Sequence, residues 1–196
     1  MNSIYAELSR ALQGAPTRRM GERLGVSESQ AQSGIEVGQP LLLSALANNT
    51  RRRGGTSALA RALDSKPDGS ILEDLDGVAD GRYDEDGSAI LGHVLGADRG
   101  NMEGRVAQFA GLDKGTMAKL LVTLAPVILG WLGKMKKGGG GGGGLGDILR
   151  REDKGNRRGG GGLGDILGDV LSGSGPGQRQ MPGCLGLLGG LLGGKR

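Results

Sequence analysis

Residues 111–137 read GLDKGTMAKLLVTLAPVILGWLGKMKK, and residues 25–51 read GVSESQAQSGIEVGQPLLLSALANNTR. Laid over one another at a spacing of 86, the two stretches share their punctuation. Gly25-Val26-Ser27 falls on Gly111-Leu112-Asp113, Pro40-Leu41-Leu42-Leu43 on Pro126-Val127-Ile128-Leu129, and Leu46 on Leu132. The register holds outward without a gap. Ile4 and Leu8 meet Ile90 and Val94, Arg19-Met20 meets Arg105-Val106, and Leu59 and Leu63 meet Leu145 and Leu149. Apolar residues pair with apolar ones throughout, which points to two related helical units.

Each unit reads as helices. Ile4, Leu8 and Leu12 recur every four residues, one helix face. Pro16 suits a helix start, and Gly25 a helix end. Ser27 with Gln30 three residues on is a capping box, and Asp113 caps the matching helix of the second unit. Pro40 and Pro126 should kink or restart the long apolar helices they sit in. Between the units, Ser70 with Glu73 should open a short helix bearing Ile71, Leu75 and Val78. No segment alternates as a strand does. The fold class is all-α: a multihelical domain built from two related helical repeats, followed by a flexible Gly-rich tail.

Composition places the boundary. The chain has 196 residues and 43 Gly, of which 24 fall in residues 138–196. The run Gly138 to Gly144 should not fold alone, because glycine loses the most backbone entropy on ordering. The expected organisation is a helical domain over 1–137 and a low-complexity tail over 138–196. Within the domain, repeat one covers about 1–66, an acidic linker about 67–87 and repeat two about 88–137. With only 2% aromatic residues, the core must be mostly Leu, Val, Ile and Ala.

Several chemistries are excluded by arithmetic. One Cys (Cys184) rules out a disulfide framework and a multi-thiolate metal site, and one His (His93) rules out paired-His chemistry. A lone His without an orienting carboxylate and a nucleophile makes a weak enzyme candidate. The acids of 64–86 fit no EF-hand register and read as a solvated linker. Gly189 to Lys195 spells a phosphate-loop pattern, but Arg196 follows where Ser or Thr is needed. No cofactor is expected. The apolar run Leu120–Leu132 has about 13 residues against the roughly 20 that span a bilayer, so a buried core helix is expected and no integral membrane segment. The N-terminus lacks the order of a secretory signal, and a lone Cys suits a cytoplasmic setting.

The stretch Gly87-Ser88-Ala89-Ile90-Leu91-Gly92-His93-Val94-Leu95-Gly96 resembles a hallmark of the bacterial YidB-like family, also called domain of unknown function 937. So do Ala110-Gly111-Leu112-Asp113 and Leu124-Ala125-Pro126-Val127-Ile128-Leu129-Gly130. The resemblance covers roughly residues 4 to 135. It implies a compact multihelical domain and no particular activity, and no catalytic residue carries over. The first repeat departs from the pattern through Gly34 and Gly38, where the second has Leu120 and Leu124.

Two surfaces remain as candidates. In the tail, Leu145-Gly146-Asp147-Ile148-Leu149 recurs as Leu163-Gly164-Asp165-Ile166-Leu167, and Leu187 and Leu188 sit in an apolar, Gly-spaced end. Leu145, Ile148, Leu149, Leu163, Ile166, Leu167, Leu187 and Leu188 are the expected contact groups for a protein partner or for self-association. The alternative is a nucleoid-type DNA binder. Residues 20–35 and 106–121 have the look of helix-turn-helix units, and Arg51, Arg52 and Arg53 could touch phosphates in a weak nucleic-acid contact. A second alternative is an enzyme with His93 in its site. A non-enzymatic interaction protein is the expected reading.

Overall fold

A computed structural model describes residues 4–65, 70–137, 146–147 and 149–150, and these contain no strand. Helix α1 (Ile4–Leu12) turns Ile4, Leu8 and Leu12 inward, all buried. Pro16 lies in the first turn of α2 (Ala15–Leu24), where its missing N–H has no helical partner to lose. Gly25 ends α2 in the left-handed region at φ 72 and ψ 29, and the Val26 N–H donates back to the Gly21 carbonyl at 2.9 Å. The same stop closes α7 (Arg99–Ala110). There Gly111 has φ 67 and ψ 31, and the Leu112 N–H donates to the Ala107 carbonyl at 2.9 Å.

After each stop a short polar side chain restarts the chain. Ser27 accepts the Gln30 N–H, and the Gln30 side chain accepts the Ser27 N–H, which opens α3 (Glu28–Arg51). Asp113 accepts the Thr116 N–H at 2.9 Å and opens α8 (Lys114–Lys137). Both long helices have 24 residues.

The prolines do not break these helices as expected; α3 and α8 run through Pro40 and Pro126. A helical proline removes one N–H and crowds the carbonyl four residues back. In α8 that carbonyl belongs to Val122. It lies against Gly87 of α6 (Asp84–Leu95), so closely that a Cβ on Gly87 would overlap it. Helix α6 therefore packs onto the spot where the α8 ladder is interrupted.

The centre of the fold is the crossing of α3 and α8. A Cβ on Gly34 would collide with the end of Leu120 and stand 2.8 Å from Leu112 Cδ1. A Cβ on Gly38 would stand 3.1 Å from Leu121 and Leu124 and 3.2 Å from Met117. Leu120, Leu121, Leu124 and Met117 are all fully buried. The second long helix supplies the bulk, and the first supplies the space.

The connecting elements are α4 (Gly55–Ser65), a 3-10 turn at Ser70–Leu72, and α5 (Leu75–Ala79), which pack on α3, α8 and α2 respectively. Ser70 does not cap the expected helix. Asp74 does, accepting the Gly77 N–H at 3.1 Å. The acidic stretch is not a solvated linker either. Asp76 and Asp80 face Arg19 at 3.3 and 3.9 Å, and Asp84 meets Arg23 at 2.8 Å. The charges that suggested solvation fasten α5 and α6 to α2.

Lys114–Lys136 is long and apolar enough to cross a membrane by length and composition, but two-thirds of it (67%) is buried inside the domain. It exceeds the 13-residue apolar run because the lysine-bearing ends are helical as well. Its apolarity is accounted for by packing against α3, α6 and α7.

Two predictions follow from this packing. Gly34→Leu and Leu120→Gly should each destabilise strongly, but the exchange of both should recover part of the loss. We expect a coupling of about 1–3 kcal/mol in a urea-denaturation cycle, and additive losses would refute the crossing. The second concerns acid. Asp74 is held below the usual carboxylate range by the Tyr83 hydroxyl, the Gly77 N–H and Arg82, and Asp113 by the Thr116 side chain and N–H. Folding lowers both values, so their contributions are present above the ordinary carboxylate range and lost as pH falls through it. Asp74→Asn should reduce the stability difference between pH 7 and pH 3; an unchanged difference would show that the cap is not felt.

Candidate functional site

The first Leu-Gly-Asp-Ile-Leu segment contributes to the folded domain. Residues 146–147 and 149–150 are helical, and Leu149 is 0% exposed within the same core cluster as Leu63 and Leu132. Gly146 is buried with Thr56, at the start of α4, close beside it: a Cβ there would lie 3.6 Å from Thr56 Oγ1. Arg150 donates to the Gly146 carbonyl at 3.2 Å and pairs with Asp147 at 3.6 Å. The core thus draws on residues beyond Lys137, past the glycine run that composition suggested as its boundary. Leu145, Ile148, Leu163, Ile166, Leu167, Leu187 and Leu188 lie outside the described residues.

The reason for a buried Leu149 is chemical. Asp147 and Arg150 are hydrophilic and exposed, whereas Leu149 on the opposite side of one helical turn can reach the core. Leu63, 86 positions earlier, is buried by α4 in the same way and approaches Gly133 of α8.

Beside Leu63 runs a small apolar cavity of about 40 Å3, lined by Ile71, Ile90, Pro126, Leu129 and Gly133, with Tyr83 and Asp86 at its polar side. Each water needs roughly 10–15 Å3 of such space, so the room fits one branched aliphatic side chain rather than an organic cofactor. Tyr83 is tied down: its hydroxyl donates to Asp74 at 2.9 Å, which pushes the phenol up from its ordinary value.

His93 stands exposed on α6, away from this cavity, and its backbone carbonyl accepts from Asn49. Among the described residues no group of three or more His, Cys, Asp or Glu side chains is arranged for a metal ion. Arg51, Arg52 and Arg53 are exposed where α3 ends, and Arg51 donates to Asn48 at 3.2 Å.

The helix-turn-helix likeness resolves into packing. α2, the turn at Gly25 and the start of α3 have that order, but α3 buries Ala31, Gly34, Ile35 and Gly38 against α8 and its neighbours. The side left outward carries Glu28, Ser29, Gln30 and Glu36, without a cation. A groove-reading helix needs basic or amide groups free to meet phosphates and base edges. Glu36 instead accepts from Gln32 at 2.9 Å.

Sequence reasoning missed the polar joint between α2, α6 and α8. Arg23 donates to Asp84 at 2.8 Å and to Thr123 at 2.5 Å, and Gly81 at φ 87 lets the backbone pass directly over the guanidinium. Three residues 61 and 39 positions apart carry no local pattern that would announce them. Leu149→Ala tests the other end of the core. It should cost about 2–5 kcal/mol, the range for deleting a buried leucine side chain, read as a fall in the urea midpoint. A surface-like change below about 0.5 kcal/mol would show that the segment is not part of the core.

No curated protein and no solved structure matches the chain. A family model described as "Bacterial protein of unknown function (DUF937)" matches residues 6–135, from α1 to the last turn of α8. That is well over half of the 196 residues, and the chain belongs to this family of bacterial proteins of unknown function.

Proposed function

We propose that the chain is a non-enzymatic interaction and self-assembly protein whose folded domain receives short Leu-Gly-Asp-Ile-Leu segments. The observation that carries this reading is Leu149, which reaches the core from the first such segment at 0% exposure. The same pentapeptide recurs at Leu163–Leu167, and a third Leu-rich stretch closes the chain at 185–192. Each repeat of a segment that one site has already accepted is a contact group for another site. Glycine-rich spacers keep such groups within reach of one another, which raises their effective concentration.

We infer as well that the two halves are versions of one helical unit. The equal 24-residue helices, the matched left-handed glycines and the two internal prolines support it, each pair standing 86 positions apart. A reducing cytoplasmic setting fits the lone Cys184. The outward face of α3, acidic and amide-bearing, favours a protein partner over nucleic acid.

The test keeps the full chain, because Leu149 makes removal of everything after Lys137 damaging to the core. Leu163, Ile166, Leu167, Leu187 and Leu188 are changed together to Ser. Multi-angle light scattering should show mass rising with concentration for the parent and a monomer for the variant. Identical masses at all concentrations would overturn the assembly role.

A further inference from the structure

Helices α2 and α7 stand at matching places, 86 positions apart, but are covered differently. α2 is covered by α5 and the first turn of α6. Around Arg23 of α2 lie Gly81, Asp84 and Thr123, a polar joint. The position on α7 that matches Arg23 is Phe109. It is 53% exposed, the one large apolar side chain so exposed among the described residues. α7 packs on α3, α6, α8 and the 3-10 turn Gly96–Asp98, and no described element covers it as α5 covers α2.

One exposed Phe is ordinary by itself. Its register gives it meaning. Moved by 86 positions, Arg23 becomes Phe109, while Thr123 of α8 answers to Val37 of α3. Carried past the described residues, the same shift turns Gly81 into Leu167 and Asp84 into Val170. The polar set of the first half becomes apolar at every member. Such a concerted change is what contact requires, since an arginine needs a carboxylate and a phenylalanine needs aliphatic neighbours.

The tail segment is built for that contact. Leu163, Ile166, Leu167, Val170 and Leu171 recur at i, i+3, i+4, i+7 and i+8, one face of a helix. The chain can deliver it. Twelve residues separate Arg150 from Leu163, five of them Gly, and nine separate Ser65 from Leu75 in the first half. A Gly-rich spacer of that length has an r.m.s. reach of about 20 Å, against a radius of gyration of about 14 Å for a domain of this size.

We infer that Leu163–Leu171 of the same chain docks as a helix on the Phe109 face of α7, with Leu167 and Val170 against the ring. It takes the place beside α7 that α5 and the start of α6 take beside α2. This rests on the reading of the Leu segments as contact groups, and it leaves 185–192 as the stretch turned to a partner.

Amide hydrogen exchange of the full chain, read by mass spectrometry, tests it. In the parent, peptides covering 163–171 should exchange at least about tenfold more slowly than a free peptide of the same sequence. Phe109→Asp should abolish that protection while α8 stays protected, which is expected because Phe109 is exposed and the fold should tolerate the change. Phe109→Arg should lose protection too, and adding Val170→Asp should restore it by rebuilding the Arg23–Asp84 pair. Exchange at the free-peptide rate in the parent, or protection indifferent to Phe109, would overturn the docking. With Cys184→Ser in place, Phe109→Cys and Val170→Cys together should form a disulfide within one chain at low micromolar concentration. A disulfide-linked dimer would instead assign the segment to a second copy. Light scattering on Phe109→Asp separates the two readings: concentration-dependent mass that persists there but vanishes in Leu187→Ser, Leu188→Ser keeps the assembly role even if the docking fails.

Discussion

The fold depends on one contact, that of Gly34 with Leu120. Two helices cross at the centre of the domain, and at the crossing the bulk is all on one side. On the reading of two like halves, Gly34 and Leu120 are the same position in each unit. They meet because a twofold relation brings counterparts together on its axis. Two leucines there would overlap, and two glycines would leave a void with no dispersion partners. The difference between the halves is therefore a requirement of their joining. The first repeat's glycines, which depart from the family pattern, are the cavity into which the second repeat fits.

A second constraint acts through α8. Pro126 frees the Val122 carbonyl, and Gly87 allows α6 to come up against it. The proline looks like a break when read along one helix, because propensity describes an isolated segment. Packed on both sides, the helix loses one hydrogen bond and keeps its apolar contacts, and it stays continuous. The hallmark stretch that begins at Gly87 is thus partly a record of how near α6 must come.

Charge was the least legible feature. The acids of 64–86 look like a solvated linker because nine of them share 23 positions. Their partners, Arg19 and Arg23, lie about 60 residues earlier, and no periodicity links the two groups. Most of these pairs are half-exposed, where each ion pair adds little to stability. Their use here is orientation, setting α5 and α6 against α2. The same blindness applies to Leu149. Its pentapeptide was readable as a contact group, but its immersion in the core could not be told from a segment preceded by seven glycines.

The sequence by itself determined the helices, their stops and caps, and their approximate lengths. Those features rest on interactions within a few residues: a left-handed glycine at 25 and 111, a side-chain cap at 27 and 113, an apolar repeat every three or four positions. Tertiary structure alone decided what each helix faces. It made Gly34 a cavity for Leu120, turned helix-turn-helix order into buried packing, kept α3 and α8 whole through their prolines, and left Phe109 in the open. The physical reason is range. Backbone hydrogen bonding acts locally and is written locally, whereas close packing depends on the shapes of residues about 86 positions apart, which meet only once the chain has folded.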